Sequence, residues 1–228
     1  MFYTSSQLDF NVIRAMKRKS SKLKRHEEIF NSVSHGVGVF IAIACTAIIV
    51  TRAALYGDAW HIVSFSIFGA GMITLYIAST LFHGTKNLRR KYRLNTFDHS
   101  AIYVLIAATY TPLTLVSIRS PLGWVLFGII WGLALAGIVF KTWFYKQKFR
   151  ALSAALYAAM GFMFLMAIGP IVRNLPSISL VFLLCGVFAY SAGIFFYIRR
   201  DIAFGHGVFH LFVLAGSICH FFTMVFMV

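Results

Sequence analysis

The chain has 228 residues, of which 60% are hydrophobic, 17% aromatic and only 12% charged, and its mean hydropathy is +0.80. Soluble domains hold about 25% charged residues, so this composition excludes an ordinary water-soluble fold. A formal net charge of +15 must then be explained by where the cations lie along the chain.

Residues 1–28 read as a basic cytoplasmic N-terminal tail carrying Arg14, Lys17, Arg18, Lys19, Lys22, Lys24 and Arg25. Such a tail suits a topogenic signal or a patch for anionic headgroups. It contains no nucleic-acid-binding module, so no nucleic acid is expected as a partner. The first apolar run begins only at Ile29 and outlasts the short core of a secretory signal, so no cleavable signal is expected.

From residue 29 to residue 228 the sequence predicts one all-α membrane domain, a bundle of seven transmembrane helices. The uncharged runs are Ile29–Val50, Ala59–His83, His99–Ile118, Pro121–Phe140, Ala151–Val172, Asn174–Ile198 and Ile202–Val228. Each is about 20 residues or longer, enough to cross a hydrocarbon core. Placing the N-terminus in the cytoplasm and the C-terminus outside puts 18 of the 21 Lys and Arg residues on the cytoplasmic side. The tail, Lys86, Arg89, Arg90, Lys91, Arg93, Lys141, Lys146, Lys148, Arg150, Arg199 and Arg200 supply them. Only Arg52, Arg119 and Arg173 remain opposite. The basic excess therefore reports orientation. Cys45, Cys185 and Cys219 fall inside spans without paired spacing and suggest apolar packing, not a disulfide framework. Pro112, Pro121, Pro170 and Pro176 fall near span ends, where proline is tolerated.

Polar groups inside a membrane are expensive and mark function by default. Glu28, Asn31 and His35 share one face at the start of span 1, at i, i+3 and i+7. Ser79 and His83 close span 2, Asp98 and His99 open span 3, and His206 and His210 lie in the first turns of span 7. Four helices thus bring polar side chains to one layer. The pair His206 and His210, at i, i+4, can direct two ring nitrogens at one ion, although this spacing alone fits an ordinary structural role equally well. His83 at the same depth supplies a third ligand, and three neutral histidines leave zinc one open position, as in catalytic sites. Asp98 can accept a proton or orient a nucleophile there, or instead pair with Arg93. Ser79 can assist a ligand histidine or a developing oxyanion. Glu28, Asn31 and His35 read as a supporting shell. His26 and His61 suit ordinary interfacial contacts, and His99 reads as a neighbour of the site. His220 lies some 21 Å deeper than His206 along its helix and is expected to bond a neighbouring helix.

These residues carry a resemblance. EEIFNSVSHGVG at 27–38, STLFH at 79–83, FDHSAIYVLIAATYTP at 97–112 and HGVFHLFVLAGSICH at 206–220 resemble the hemolysin III group. That group is the bacterial branch of the progestin and adipoQ receptor family, which includes the adiponectin receptors. The resemblance runs from Glu28 nearly to the C-terminus. It implies seven helices with the N-terminus inside, zinc on His83, His206 and His210, and Asp98 holding water nearby. It also implies a multi-pass protein of the bacterial cytoplasmic (inner) membrane, tied to membrane lipid homeostasis. Alkaline ceramidases in the wider superfamily imply hydrolysis of a lipid amide as a plausible chemistry.

The functional expectation is a zinc-dependent hydrolase of a lipid-like amide or ester, with membrane lipids as its partners. The alternative is a non-enzymatic sensor of membrane state, or a cytolytic protein, with a structural zinc. A retinal protein is excluded because Ile202–Val228 contains no lysine. A G-protein-coupled receptor would need the opposite orientation to the one the basic residues indicate.

Overall fold

The fold was analysed in a computed structural model, which describes residues 5–144, 149–199 and 201–228, residues 5–22 and Arg150 as backbone only. The basic side chains of Arg14, Lys17, Arg18, Lys19, Lys22, Lys146, Lys148, Arg150 and Arg200 lie outside the described residues. The helices are α1 (Ser5–Tyr56), α2 (Ala59–Gly84), α3 (Leu88–Pro112), α4 (Pro121–Val139), α5 (Arg150–Gly161), α6 (Ile168–Asn174), α7 (Ser177–Ile198) and α8 (Gly205–Val225). Among the described residues, seven helical segments are long and apolar enough to cross a membrane. The chain is therefore a multi-pass membrane protein, as its composition predicts.

Local chemistry explains where the helices begin. Asp58 caps α2 by accepting the backbone N–H groups of Trp60 at 3.0 Å and His61 at 3.2 Å. Asn87 caps α3 by accepting Arg90 N–H at 3.1 Å. Pro121 occupies the first turn of α4, and Pro176 precedes α7, positions where a missing N–H costs little.

Three boundaries depart from the uncharged runs. α1 is continuous for 52 residues, roughly 78 Å at 1.5 Å per residue, so the expected tail is helical from Ser5 onward. α3 starts at Leu88, so Asp98 lies well inside a helix instead of opening one. Charge marks where a helix leaves apolar surroundings, not where its hydrogen bonding stops. The fifth span is broken: α5 ends at Gly161, a 3-10 turn covers Met163–Ala167, and α6 completes the crossing.

Tyr110 mends that break. Its hydroxyl donates to Gly161 O at 2.8 Å and accepts Phe164 N–H at 2.8 Å. A membrane interior offers no water for such groups, so a protein partner is needed. α3 itself ends in a π-helical turn, Leu113–Ile118, just after Pro112. Thr114 Oγ1 there donates to Tyr110 O at 2.9 Å and to Thr111 O at 3.1 Å.

The outer surface is apolar, with Phe40, Phe188 and Trp143 each more than 70% exposed. In water this would be a large aggregation patch; in lipid it is the ordinary exterior. Inside, one buried cluster joins α1, α2, α3 and α8 around Phe65, Phe68 and Met72. A second joins α3 and α4 to the fifth span and α7 around Tyr103, Ile130 and Phe164. Between them runs a cavity lined from Ser79, Asp98, His206 and His210 to Leu113, Gly161 and Phe164. Along α3, from Asp98 to Leu113, it extends roughly 22 Å.

Candidate metal centre

His83 is the penultimate residue of α2, while His206 and His210 lie in the first two turns of α8. Sequence distance is large, but α1 packs against both α2 and α8 and closes the bundle. Two features let α8 approach. Phe204, just before α8, takes the left-handed conformation with φ 57°, which is uncommon for a bulky residue. Its ring meets Phe30 of α1 edge-on at 6.1 Å. Gly207 faces α1 so closely that a Cβ there would lie 2.6 Å from Phe30 Cδ1 and 3.0 Å from Asn31 Oδ1.

The three imidazoles converge. His206 Nε2 lies 3.3 Å from His83 Nε2 and 3.1 Å from His210 Nε2. One ligand nitrogen from each falls within 4.8 Å of the others, so the three can hold a metal ion. Nitrogens about 2.0–2.1 Å from a tetrahedral zinc stand about 3.3 Å apart, so the two measured separations fit such an ion. His83 and His210 are buried and His206 is half-buried.

Glu28 explains the orientation of His83. Its Oε2 lies 3.1 Å from His83 Nδ1, so the ring donates Nδ1–H to the carboxylate and directs the Nε2 lone pair at the cluster. Carboxylate-buttressed histidines of this kind are usual around protein-bound metals. The same oxygen accepts Lys91 Nζ at 2.6 Å. In the sequence Lys91 stands as one of five cations between residues 86 and 93. Its spacing from Asp98, i to i+7, was the available signal, since it puts both on one face of α3.

His35 stacks on His210, with ring centroids 3.7 Å apart and planes 12° apart. Both of its ring nitrogens are buried without a partner, as are Asn31 Oδ1 and Ser79 Oγ. Asp98 is buried and lines the same cavity end as Ser79, His206 and His210. No ion pair joins Asp98 to Arg93 among the described residues; His99 Nδ1 lies 3.7 Å from Asp98 Oδ2. The pairing of Asp98 with Arg93 is therefore not formed, and His99 stands beside Asp98 in the cavity lining. His99 folds back along its helix and donates Nδ1–H to Asn95 O at 2.7 Å.

The remaining histidines lie apart from the cluster. His26 is exposed. His61 closes the Asp58 cap at the far end of α2, its Nδ1 2.8 Å from Asp58 Oδ1. His220 meets α7, as expected, but through packing: a Cβ on Gly186 would lie 2.7 Å from its Nε2. Its Nδ1 has no hydrogen-bond partner.

Comparison with known proteins gives the family. The family model described as "Haemolysin-III related" matches residues 23–221. The chain belongs to that family. It is 45% identical over 200 residues to a Bacillus subtilis (strain 168) protein named "Hemolysin-3 homolog", covering 88% of this chain and 93% of the relative. It is 41% identical over 202 residues to "Hemolysin-3" of Bacillus cereus, covering 89% and 92%. A more distant match, 28% identical over 209 residues, is the human "Monocyte to macrophage differentiation factor", covering 87% and 83%. As a haemolysin-III-related protein, the chain places its three converging histidines, Glu28, Asn31, His35, Ser79 and Asp98 all within the matched region.

Proposed function

We propose that this chain is a zinc-dependent membrane hydrolase acting on a lipid-like amide or ester from the cytoplasmic side. The observation that carries this reading is that two of the three converging histidines, His206 and His210, line the polar end of a long cavity that is otherwise mostly apolar. Pockets of that kind, an apolar body with a few convergent polar groups, are the usual form of small-molecule sites.

His83, His206 and His210 are the residues that would hold the ion. Zinc there would supply Lewis acidity and bring the pKa of water toward neutrality. Asp98 takes up the proton of the attacking water and later delivers it to the leaving group. Ser79 Oγ, buried at the same cavity end as Asp98, donates to the oxygen of the reacting carbonyl as charge develops on it. Leu105, Ile106, Leu113 and Phe164 along the cavity hold an acyl chain and exclude water from it. Amide or ester is the bond class, because both pass through a tetrahedral centre that a base and an oxyanion donor serve.

The test uses purified, zinc-loaded protein with a fluorescent ceramide-like amide and an acyl ester. Turnover of either, abolished by Asp98→Ala while zinc is retained, is the expected result. Stoichiometric zinc without turnover of either class would refute the hydrolase. The names of the two Bacillus relatives favour one further reading, a cytolytic role with structural zinc. Leakage from vesicles separates the two, since a pore leaks equally with Asp98→Ala.

A further inference from the structure

We propose that Lys91 is a positioning residue of the metal centre, acting through Glu28 on His83. The proposal rests on the three-histidine metal reading above. Five cations lie between residues 86 and 93, and four of them, Lys86, Arg89, Arg90 and Arg93, are exposed. Among the described residues none of those four has a carboxylate within ion-pair distance, whereas Lys91 turns inward to Glu28. An isolated half-exposed ion pair contributes little to stability, so tying α3 to α1 is a weak account of this contact.

The choice of oxygen gives a better account. Glu28 Oε2 receives both Lys91 Nζ at 2.6 Å and His83 Nδ1 at 3.1 Å. α1, α2 and α3 therefore meet at one atom. Lys91 fixes the position of that oxygen, the oxygen fixes the tautomer and tilt of the His83 ring, and Nε2 is held toward His206. Without the ammonium group, a half-exposed carboxylate turns toward water, and the ring loses the contact that aims it. Partners of this kind around a metal ligand typically change affinity by about 10–100-fold.

The full-length protein, purified in detergent, is titrated with zinc against a competing chelator, and with cobalt, whose visible spectrum reports tetrahedral histidine ligation. Lys91→Met and Glu28→Gln each weaken zinc binding by about ten-fold, and Lys91→Arg restores most of it. The double variant binds no more weakly than Glu28→Gln alone, because both changes break one relay. Lys91→Gln serves as a second neutral variant where Lys91→Met does not fold. Wild-type affinity in the neutral variants overturns the proposal, even where the apo-protein melts at a lower temperature. So does a double variant whose loss is the product of the two single losses. His83→Ala is the control: if it too keeps wild-type affinity, the metal reading falls, and the relay with it.

Discussion

His35 and His210 lie face to face, one from α1 and one from α8, with ring centroids 3.7 Å apart. Neither His35 nitrogen has a partner, so the ring contributes its flat face. It acts as a wall that leaves the His210 imidazole one orientation. His35→Ala opens space beside His210 and lets that ring turn. Zinc affinity then falls about ten-fold, equivalent to about 1.4 kcal/mol, as measured by chelator competition. His35→Phe keeps a flat face and retains most of the affinity. Equal loss in both variants would show that the nitrogens of His35 matter and not its face.

The break in the fifth span depends on Tyr110, whose hydroxyl serves Gly161 O and Phe164 N–H together. Tyr110→Phe leaves both backbone groups unpaired in an apolar interior, at about 1–3 kcal/mol each. Thermal unfolding in detergent therefore moves to clearly lower temperature while zinc stoichiometry stays at the wild-type value. An unchanged melting temperature would mean that the break satisfies itself without α3.

At the far end of the bundle, Asp58 caps α2 and meets Arg119 Nη1 at 2.6 Å. The His61 ring beside it, and then the Arg119 guanidinium, hold its carboxyl well below the usual carboxylate range. A group lowered on folding contributes stability above its unfolded value of about 3.9 and loses it as pH falls toward the folded value. Melting measured from about pH 6 to about pH 3 falls for the wild type at the acid end. In Asp58→Asn the acid limb is flatter and the plateau lower. Parallel curves for the two proteins would contradict the assignment.

Much of this site can be read from residue spacing. Positive charge and uncharged run length give seven spans, and their alternation brings His83, Asp98, His206 and His210 to one layer before any distance is known. Lys91 is harder to see, because a lysine beside four other cations carries the same topological signal as they do. Only its i to i+7 spacing from Asp98, which puts both on one face of α3, distinguishes it. The break after Gly161 is hidden for another reason: the run from Ala151 to Val172 is uniformly apolar, and hydropathy does not register which backbone groups lose their helical partners. The helical N-terminal extension is likewise invisible to hydropathy, since its charged residues suit a solvated helix as well as a coil. His99 reads from the sequence as a neighbour of the site, and it lines the cavity beside Asp98. Its Nδ1 lies 3.7 Å from Asp98 Oδ2.

The central claim is that His83, His206 and His210 hold one metal ion, and metal analysis of purified protein tests it most directly. Wild type and Asp98→Ala should each carry one zinc per chain, while His83→Ala, still folded by circular dichroism, should carry almost none. Undiminished zinc in His83→Ala would contradict the account.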